Sequence, residues 1–162
     1  MARLFTLQHE TTVHAPIERC FLLSTSLAIV QRELHMRPVR GRTSGLVVNG
    51  DTVRWQGWHL GLPQYHESLI EDFQAPFFFR DRMIAGRFAT FEHDHAFFQQ
   101  PSGAVLLHDE LRFTMPLGWA GALVGQWILS PDIHALMRRR FALIRKIAES
   151  DEWKQYLPAT TP

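Results

Sequence analysis

The stretch that decides the fold is Phe91-Glu92-His93-Asp94-His95-Ala96-Phe97. Successive side chains of a strand point to opposite faces, so its two histidines share one face with the two flanking phenylalanines. An unsatisfied buried polar group costs about 1–3 kcal/mol, so a strand buried for packing alone has no use for paired histidines. The pattern therefore predicts that this face borders a cavity or a polar cluster.

The next predicted strand, Val105 to Met115, carries one carboxylate on its apolar face, that of Asp109. A short loop between the two strands sets His93 opposite Asp109 and His95 opposite Leu107 by antiparallel pairing. We therefore predict that His93 and Asp109 form a charged or hydrogen-bonded pair inside an apolar surface.

Asp81 lies on the preceding strand, on the same face as Phe79 and Met83. It either joins the two histidines in a wider polar cluster or is a surface acid that pairs with Arg80 or Arg82 or caps a turn. Both interpretations stay open, because a slip of one residue across the turn at 85–87 would reverse the face.

Composition excludes several classes of function. The chain has 162 residues, which suits a single domain over 1–162. Its formal net charge of +1 gives no general attraction to phosphate backbones, so we expect no nucleic-acid partner. Cys20 is the only cysteine, which excludes an intrachain disulfide and suits a reducing cytoplasm.

No segment predicts stable insertion into a membrane. The chain becomes polar before a signal-peptide core develops. The longest apolar run, Trp119 to Leu129, contains Gln126 and is shorter than the ~20 residues that span a bilayer. Leu117 to Leu129 could touch a membrane as an amphipathic segment, although Trp119 and Trp127 more often serve as lid or core residues. We expect a soluble protein.

Strand and turn signals predict a largely antiparallel sheet. Arg3 to Val13 predicts an opening strand, and two short helices follow it. Arg37 to Thr43 predicts a loop. Turn residues then divide Leu46 to Met115 into five or six strands. On one of these strands Trp55 is expected to point inward.

The last part of the chain predicts two helices. Ser130-Pro131-Asp132 suits the start of the second, with serine as N-cap and proline in the first turn. An apolar stripe at helical spacing runs from Ile133 to Ala148. Arg138-Arg139-Arg140 is expected to form a solvated face, and residues 157–162 a frayed tail.

Several local motifs are shared with a known group of proteins. They are Ala15-Pro16-Ile17-Glu18-Arg19-Cys20-Phe21, Gly50-Asp51-Thr52-Val53, Phe79, Asp81, Met83, Gly86, Phe88, His93-Asp94-His95, Phe97, Asp109 and Pro116-Leu117-Gly118. With the element order, they resemble the polyketide cyclase/dehydrase-like branch of the START-like (SRPBCC) superfamily. The resemblance covers nearly the whole chain, from about Phe5 to Ile147.

The resemblance implies an α+β helix-grip fold. In that fold a curved antiparallel sheet, with two short helices after its first strand, wraps a long C-terminal helix and leaves an apolar cavity between them. Members take lipids, sterols, polyketides or plant hormones, and others are cyclases, carriers, sensors or assembly factors. The resemblance implies no common catalytic residues.

We therefore predict that the chain binds a hydrophobic or amphipathic small molecule, such as a lipid, sterol or polyketide, in this cavity. His93, His95 and Asp109 would orient a carbonyl or hydroxyl group of the ligand. The predicted cavity residues are Trp55, His59, Phe79, Asp81, Met83, Phe91, His93, His95, Asp109, Phe113, Met137, Phe141 and Ile144.

Two other functions fit the same residues. A cyclase or dehydratase-type lyase would use His93 or His95, polarised by Asp109, as general acid or base. An interaction or assembly protein would have a filled core and no ligand. The paired histidines could also ligate a metal with His59 or Asp109, but we predict neither a metal nor a cofactor.

Overall fold

A seven-stranded antiparallel sheet forms the framework of the protein. The computed structural model describes residues 2–162. The strands are β1 (Leu4–Val13), β2 (Met36–Gly41), β3 (Thr52–His59), β4 (Leu62–Gln74), β5 (Phe78–Ala85), β6 (Thr90–Gln99) and β7 (Val105–Thr114), in the spatial order β1-β7-β6-β5-β4-β3-β2. Strands β2 to β7 are neighbours in chain order, and β1 closes the series by pairing with β7.

Helices follow β1 and β7. They are α1 (Ile17–Ser24), α2 (Leu27–Leu34), α3 (Gly118–Val124), a π-helical turn (Gly125–Leu129), α4 (Ser130–Ala148) and a short 3-10 helix (Asp151–Gln155). Helices α1 and α2 carry the chain from β1 at one edge of the sheet to β2 at the other, and α4 packs against β1, α1 and α2. The predicted helix-grip fold is thereby confirmed. No helix within residues 2–162 is both long enough and apolar enough to cross a bilayer.

The core lies between sheet and helices in two apolar clusters. In the larger one the Phe21 ring of α1 meets Phe73, Phe79 and Phe97 edge-on, with ring centroids 5.2, 5.6 and 5.3 Å away. The smaller cluster includes Phe5 and Phe113, stacked at 5.0 Å, and Met137 of α4. Residues from both clusters line the cavity described below, so that cavity lies at the centre of the fold.

Three local predictions were wrong. The segment from Arg37 to Thr43, expected to be a loop, contains most of strand β2. Pro38 is tolerated there because β2 is an edge strand and its register against β3 shifts beside the proline, so the missing N–H costs no hydrogen bond between strands. Pairing with β3 overrides the local turn signals there. The tail expected to fray is packed: Leu157 and Thr161 are buried, and the Arg19 Nε donates to the Pro162 carbonyl at 2.9 Å.

The third wrong prediction is that a separate helix starts at Ser130, because the helix is continuous there. Ser130 has helical torsions of φ −60° and ψ −47°, and its Oγ donates to the Gly125 carbonyl at 2.7 Å. Pro131 would clash with the preceding turn of a regular α-helix. The π-helical turn widens the helix immediately before it and accommodates that ring.

Candidate functional site

The hairpin of β6 and β7 brings both histidines of the decisive stretch to one carboxylate. His95, not His93, is directly opposite Asp109, and His93 is opposite Leu111. The predicted register was therefore wrong by two residues, because the turn is built on Gly103, whose φ of 87° lies in the left-handed region. A shift of two residues preserves the face of a strand, so the three side chains still converge.

His95 is the hydrogen-bonded partner of Asp109. Its Nδ1 donates to Oδ1 of Asp109 at 2.8 Å, and both side chains are almost fully buried. The Nε2 of His93 lies 3.1 Å from Oδ2 of Asp109 but is not aligned for a hydrogen bond. The carboxylate thus fixes His95 and leaves the Nε2 of His93 available to another group.

A buried arginine completes the cluster. Arg140 of α4 has its Nε 3.8 Å from Oδ2 of Asp109, and its Nη2 donates to the Ser24 carbonyl at 3.0 Å. Its Nη1 donates to the Glu33 carboxylate at 3.4 Å. The predicted solvated face was therefore wrong at Arg140, although Arg138 and Arg139 are exposed. We call His93, His95, Asp109, Arg140 and Glu33 the polar cluster.

Burial governs the charges of this cluster. Burial lowers the pKa of His95 to about 4, so its imidazole is neutral at pH 7 and carries its hydrogen on Nδ1. Burial raises the pKa of Glu33 to about 7, although Arg140 works against this shift. For Asp109, burial alone would raise the pKa, but attraction to His95 and His93 and the hydrogen bond from His95 lower it overall. Asp109 is therefore ionised, and Arg140 balances its charge.

A cavity of about 780 Å³ lies against the polar cluster, between the sheet and helices α2 and α4. Such a volume is typical of small-molecule sites. Its apolar wall includes Val53, Trp55, Ile70, Phe79, Phe91, Leu111, Ile133 and Met137, and its polar wall includes Glu33, His66, Ser68, Asp81, His93, His95 and Arg140.

The structure brings some of the predicted cavity residues together and separates others. On the wall are Trp55, His59, Phe79, Asp81, Phe91, His93, His95 and Met137. Asp109 contacts both histidines but is not itself on the wall, and neither is Met83. Phe113 of β7 instead packs on Phe5 in the smaller core cluster. Phe141 and Ile144 belong to the larger one, because α4 lies over β1 and points this part of its stripe away from the cavity.

Sequence reasoning missed Arg140, Glu33 and Ser68. A signal for Arg140 was present: it lies seven residues after Ile133 and four before Ile144, in phase with the apolar stripe of α4. No comparable signal marks Glu33 or Ser68, since their burial depends on how α2 and β4 meet the rest of the fold.

Buried polar atoms without a hydrogen-bond partner mark the inner wall. Within residues 2–162 these are Ser68 Oγ, Asp81 Oδ1, His93 Nε2 and Arg140 Nε, all from residues that line the cavity, together with Asp109 Oδ2. Asp81 pairs directly with His93 across β5 and β6, so two of these atoms come from neighbouring positions. The wall thus offers both acceptors and donors to a polar group placed in the cavity.

The same cluster bears on metal binding. His93, His95 and Asp109 each offer one ligand atom, and these atoms lie within 4.8 Å of one another. However, the Arg140 guanidinium already supplies a positive charge beside Asp109 and would repel a cation. The arrangement is better suited to orienting an uncharged polar group.

The cavity mouth is bordered by a contact between His59 and Asp132 and by exposed apolar residues. His59 at the end of β3 contacts Asp132 in the first turn of α4, with its Nε2 2.6 Å from Oδ2. Leu60 and Ile128 line the cavity and are also exposed. An apolar molecule could therefore enter between the β3–β4 hairpin and the helical segment before α4.

A second concavity, of about 1030 Å³, lies outside the sheet near the end of α2. It is a more open groove whose walls mix apolar residues with polar ones such as Arg32, His35 and Arg37. We place the candidate site in the interior cavity, because the buried ionisable groups lie there.

Comparison with known proteins identifies the fold. No protein-family model and no curated protein sequence matches the chain. Among solved structures, TTHA0849 from Thermus thermophilus matches with a TM-score of 0.68 and 16% identity, over 90% of this chain and 99% of that one.

Two further structures agree. A START superfamily protein from Mycobacterium smegmatis matches with a TM-score of 0.66 and 11% identity, over 87% of this chain and 97% of that one. A norcoclaurine synthase point mutant from Thalictrum in complex with a transition-state analogue matches with a TM-score of 0.68 and 10% identity, over 91% and 96% of the two chains. The chain therefore has the START-like helix-grip fold. At these identities the likeness extends to the fold alone.

Proposed function

We propose that the protein binds a hydrophobic or amphipathic small molecule in the cavity between the sheet and α4. The observation that carries this proposal is an internal space of about 780 Å³ whose wall is mostly apolar but ends at a buried polar cluster. Water filling the cavity would form hydrogen bonds at the polar wall but would leave the apolar wall hydrated, which is unfavourable. A ligand with an apolar body and one or two polar groups satisfies both parts.

The ligand's polar group lies against His93 and Arg140 in this proposal. Both residues present a buried nitrogen without a partner. Because Arg140 and Asp109 balance each other and His95 is neutral, a carbonyl or hydroxyl group is accommodated without burying a further charge. The apolar body extends along Trp55, Phe91 and Met137 toward the mouth.

Two tryptophans on one strand give a direct test. Trp55 lines the cavity and is 4% exposed, whereas Trp58 of the same strand is 69% exposed. Fatty acids, sterols and aromatic polyketides should quench tryptophan emission saturably and raise the melting temperature, since a ligand that binds only the folded state stabilises it. Trp55→Phe should remove most of the quenching while the thermal shift persists, and Trp58→Phe should retain it.

A panel of such ligands that produces neither saturable quenching nor a thermal shift would contradict ligand binding. Equal loss of quenching in both tryptophan variants would place the ligand outside the cavity.

A second candidate function is a cyclisation or dehydration reaction. It is favoured by the Nε2 of His93, which is buried on the cavity wall, free of a hydrogen-bond partner and next to the carboxylate of Asp109. This nitrogen could accept or deliver a proton at a ligand carbon or oxygen. With a ligand found in the panel, His93→Gln should preserve affinity and abolish conversion to product, as judged by mass spectrometry. Unchanged ligand after prolonged incubation with the wild type would exclude the reaction for that ligand.

A further inference from the structure

The segment from Pro116 to Pro131 presents its bulky apolar side chains to solvent. Trp119 and Trp127 are 80% and 71% exposed, and their spacing of eight residues places them on one side of the helical segment. Leu123, midway between them, is exposed as well. A role as core residues, one of the expectations for these tryptophans, was therefore wrong.

Glycines occupy the side of this segment that faces the protein. A Cβ atom at Gly125 would lie 2.6 Å from the Phe5 ring, and one at Gly121 would collide with the Pro116 carbonyl. At Gly125 the helix backbone therefore approaches Phe5 of the sheet too closely for a side chain, and at Gly121 the start of the segment itself leaves no room for one. This reverses the usual pattern, in which a surface helix buries its large apolar residues. Packing of this chain does not account for the tryptophans.

The segment offers a partner almost no specific polar contacts. It contains no charged residue, and its two polar side chains are already engaged within the chain. Gln126 accepts a hydrogen bond from Arg3, and the Ser130 Oγ donates to the Gly125 carbonyl. A protein partner would need directional groups to fix its orientation, whereas a lipid surface needs none. Indole rings favour the boundary between acyl chains and head groups.

Two exposed arginines near the segment favour anionic lipid, and the adjacent carboxylate of Asp132 is in contact with His59. Arg3 reaches the segment through its bond to Gln126, and Arg87 lies at the cavity wall, where it donates to the Pro63 carbonyl at 2.8 Å. Both arginines are exposed, and neither has an acidic partner within 4.0 Å among residues 2–162. Unpaired cations near a membrane surface are attracted by its negative potential.

The segment also forms part of the cavity entrance. Val124 and Ile128 are exposed and line the cavity at the same time, and Leu60 and Leu62 lie on the hairpin that contributes the other part of the rim. A surface that covers the tryptophans would therefore also cover the mouth.

We propose that the segment from Pro116 to Pro131 docks on the surface of an anionic lipid bilayer. Trp119, Leu123 and Trp127 enter the interface, and an apolar molecule passes between bilayer and cavity without crossing water. The docking stands by itself, and only the transfer of a ligand rests on the proposed function.

Vesicle binding without added ligand tests the docking. The wild type should co-sediment with vesicles of phosphatidylcholine and phosphatidylglycerol, with a blue shift of tryptophan emission, and bind less to phosphatidylcholine alone or at high salt. Replacing both indoles, Trp119→Ser with Trp127→Ser, should weaken partitioning by about ten-fold or more, because most of the apolar burial is lost.

Two further variants serve as controls. Phe98→Ser removes an exposed aromatic ring at the opposite end of the sheet, where β6 pairs with the start of β7, and should change partitioning by less than about two-fold, since it buries nothing at the interface. Arg3→Gln keeps both indoles and should weaken only the preference for phosphatidylglycerol, by about five-fold.

Wild-type protein that binds neither kind of vesicle would overturn the proposal, as would a double serine variant that binds like the wild type. The proposal would also be overturned if the wild type were a dimer in analytical ultracentrifugation that did not respond to vesicles, and if the double variant were a monomer. The segment would then be the contact with a second copy of the chain. Displacement of a fluorescent fatty acid, measured without vesicles, separates the two proposals. If displacement fails while vesicle binding persists, ligand binding is refuted and docking stands.

Discussion

Replacing Glu33 by glutamine should make the protein more stable at alkaline pH and change its stability much less at mildly acidic pH. The Glu33 side chain is 6% exposed, and burial raises its pKa to about 7 from an ordinary value of 4.5. Between these two values the folded state holds a proton that the unfolded chain has released. Stability therefore falls as pH rises through this window.

The size of the effect follows from the two pKa values. With about 1.4 kcal/mol for each pKa unit, the penalty for ionising Glu33 grows by about 2.5 kcal/mol between about pH 5 and about pH 8. His95 acts in the opposite sense. Its pKa is lowered by burial to about 4 from 6.5, so its contribution is complete above about pH 6.5 and is lost as pH falls toward 4. The two residues oppose each other in the wild type, and Glu33→Gln leaves the His95 effect alone.

Urea unfolding followed by tryptophan fluorescence measures this balance. The free energy of unfolding of Glu33→Gln minus that of the wild type should be below about 1 kcal/mol at about pH 5 and should grow by about 2.5 kcal/mol by about pH 8. The control is Glu18→Gln, an exposed glutamate on α1, whose difference should not follow this curve. A Glu33→Gln difference that stays within about 0.5 kcal/mol across the range would show that Glu33 ionises normally and that Arg140 fully compensates its burial.

Three further predictions concern the polar cluster and the mouth. His95→Ala should cost about 1–3 kcal/mol in urea unfolding, and Asp109→Ala about 3–5 kcal/mol, because it also removes a counter-charge of Arg140. The double variant should cost less than their sum, because neither partner of the His95–Asp109 hydrogen bond is then left unpaired, and strict additivity would contradict that bond. Arg140→Met should cost about 3–5 kcal/mol, because it leaves the Asp109 charge buried without compensation, and a loss below about 1 kcal/mol would mean that the carboxylate is protonated. His59→Ala removes the contact with Asp132 and should change the free energy of unfolding by less than about 1 kcal/mol, since both side chains are partly exposed. Ligand association and dissociation, measured by stopped-flow fluorescence, should become faster. Unchanged rates would place the entrance elsewhere.

The sequence by itself determined which faces carry which chemistry. Alternation in the decisive stretch placed His93 and His95 on one face, and alternation in the next strand placed Asp109 on the matching face. These assignments were correct although the predicted register was wrong by two residues. Side chains alternate between the two faces of a strand, so a shift by an even number of residues preserves the face. The order of elements predicted an antiparallel sheet packed on a C-terminal helix, since each element must bury its apolar side, and the family resemblance implied the helix-grip architecture.

Distances across the fold were decided only by the tertiary structure. The turn at Gly103 made His95 the partner of Asp109, and the placement of α2 and α4 brought Glu33 and Arg140 to the same cluster. The outward tryptophans also depend on tertiary structure, because the close approach of Gly125 to the sheet fixes which side of that helix faces solvent. Local periodicity specifies the faces of an element, but register and helix placement depend on turns and on contacts between residues far apart in the chain, which no local pattern encodes.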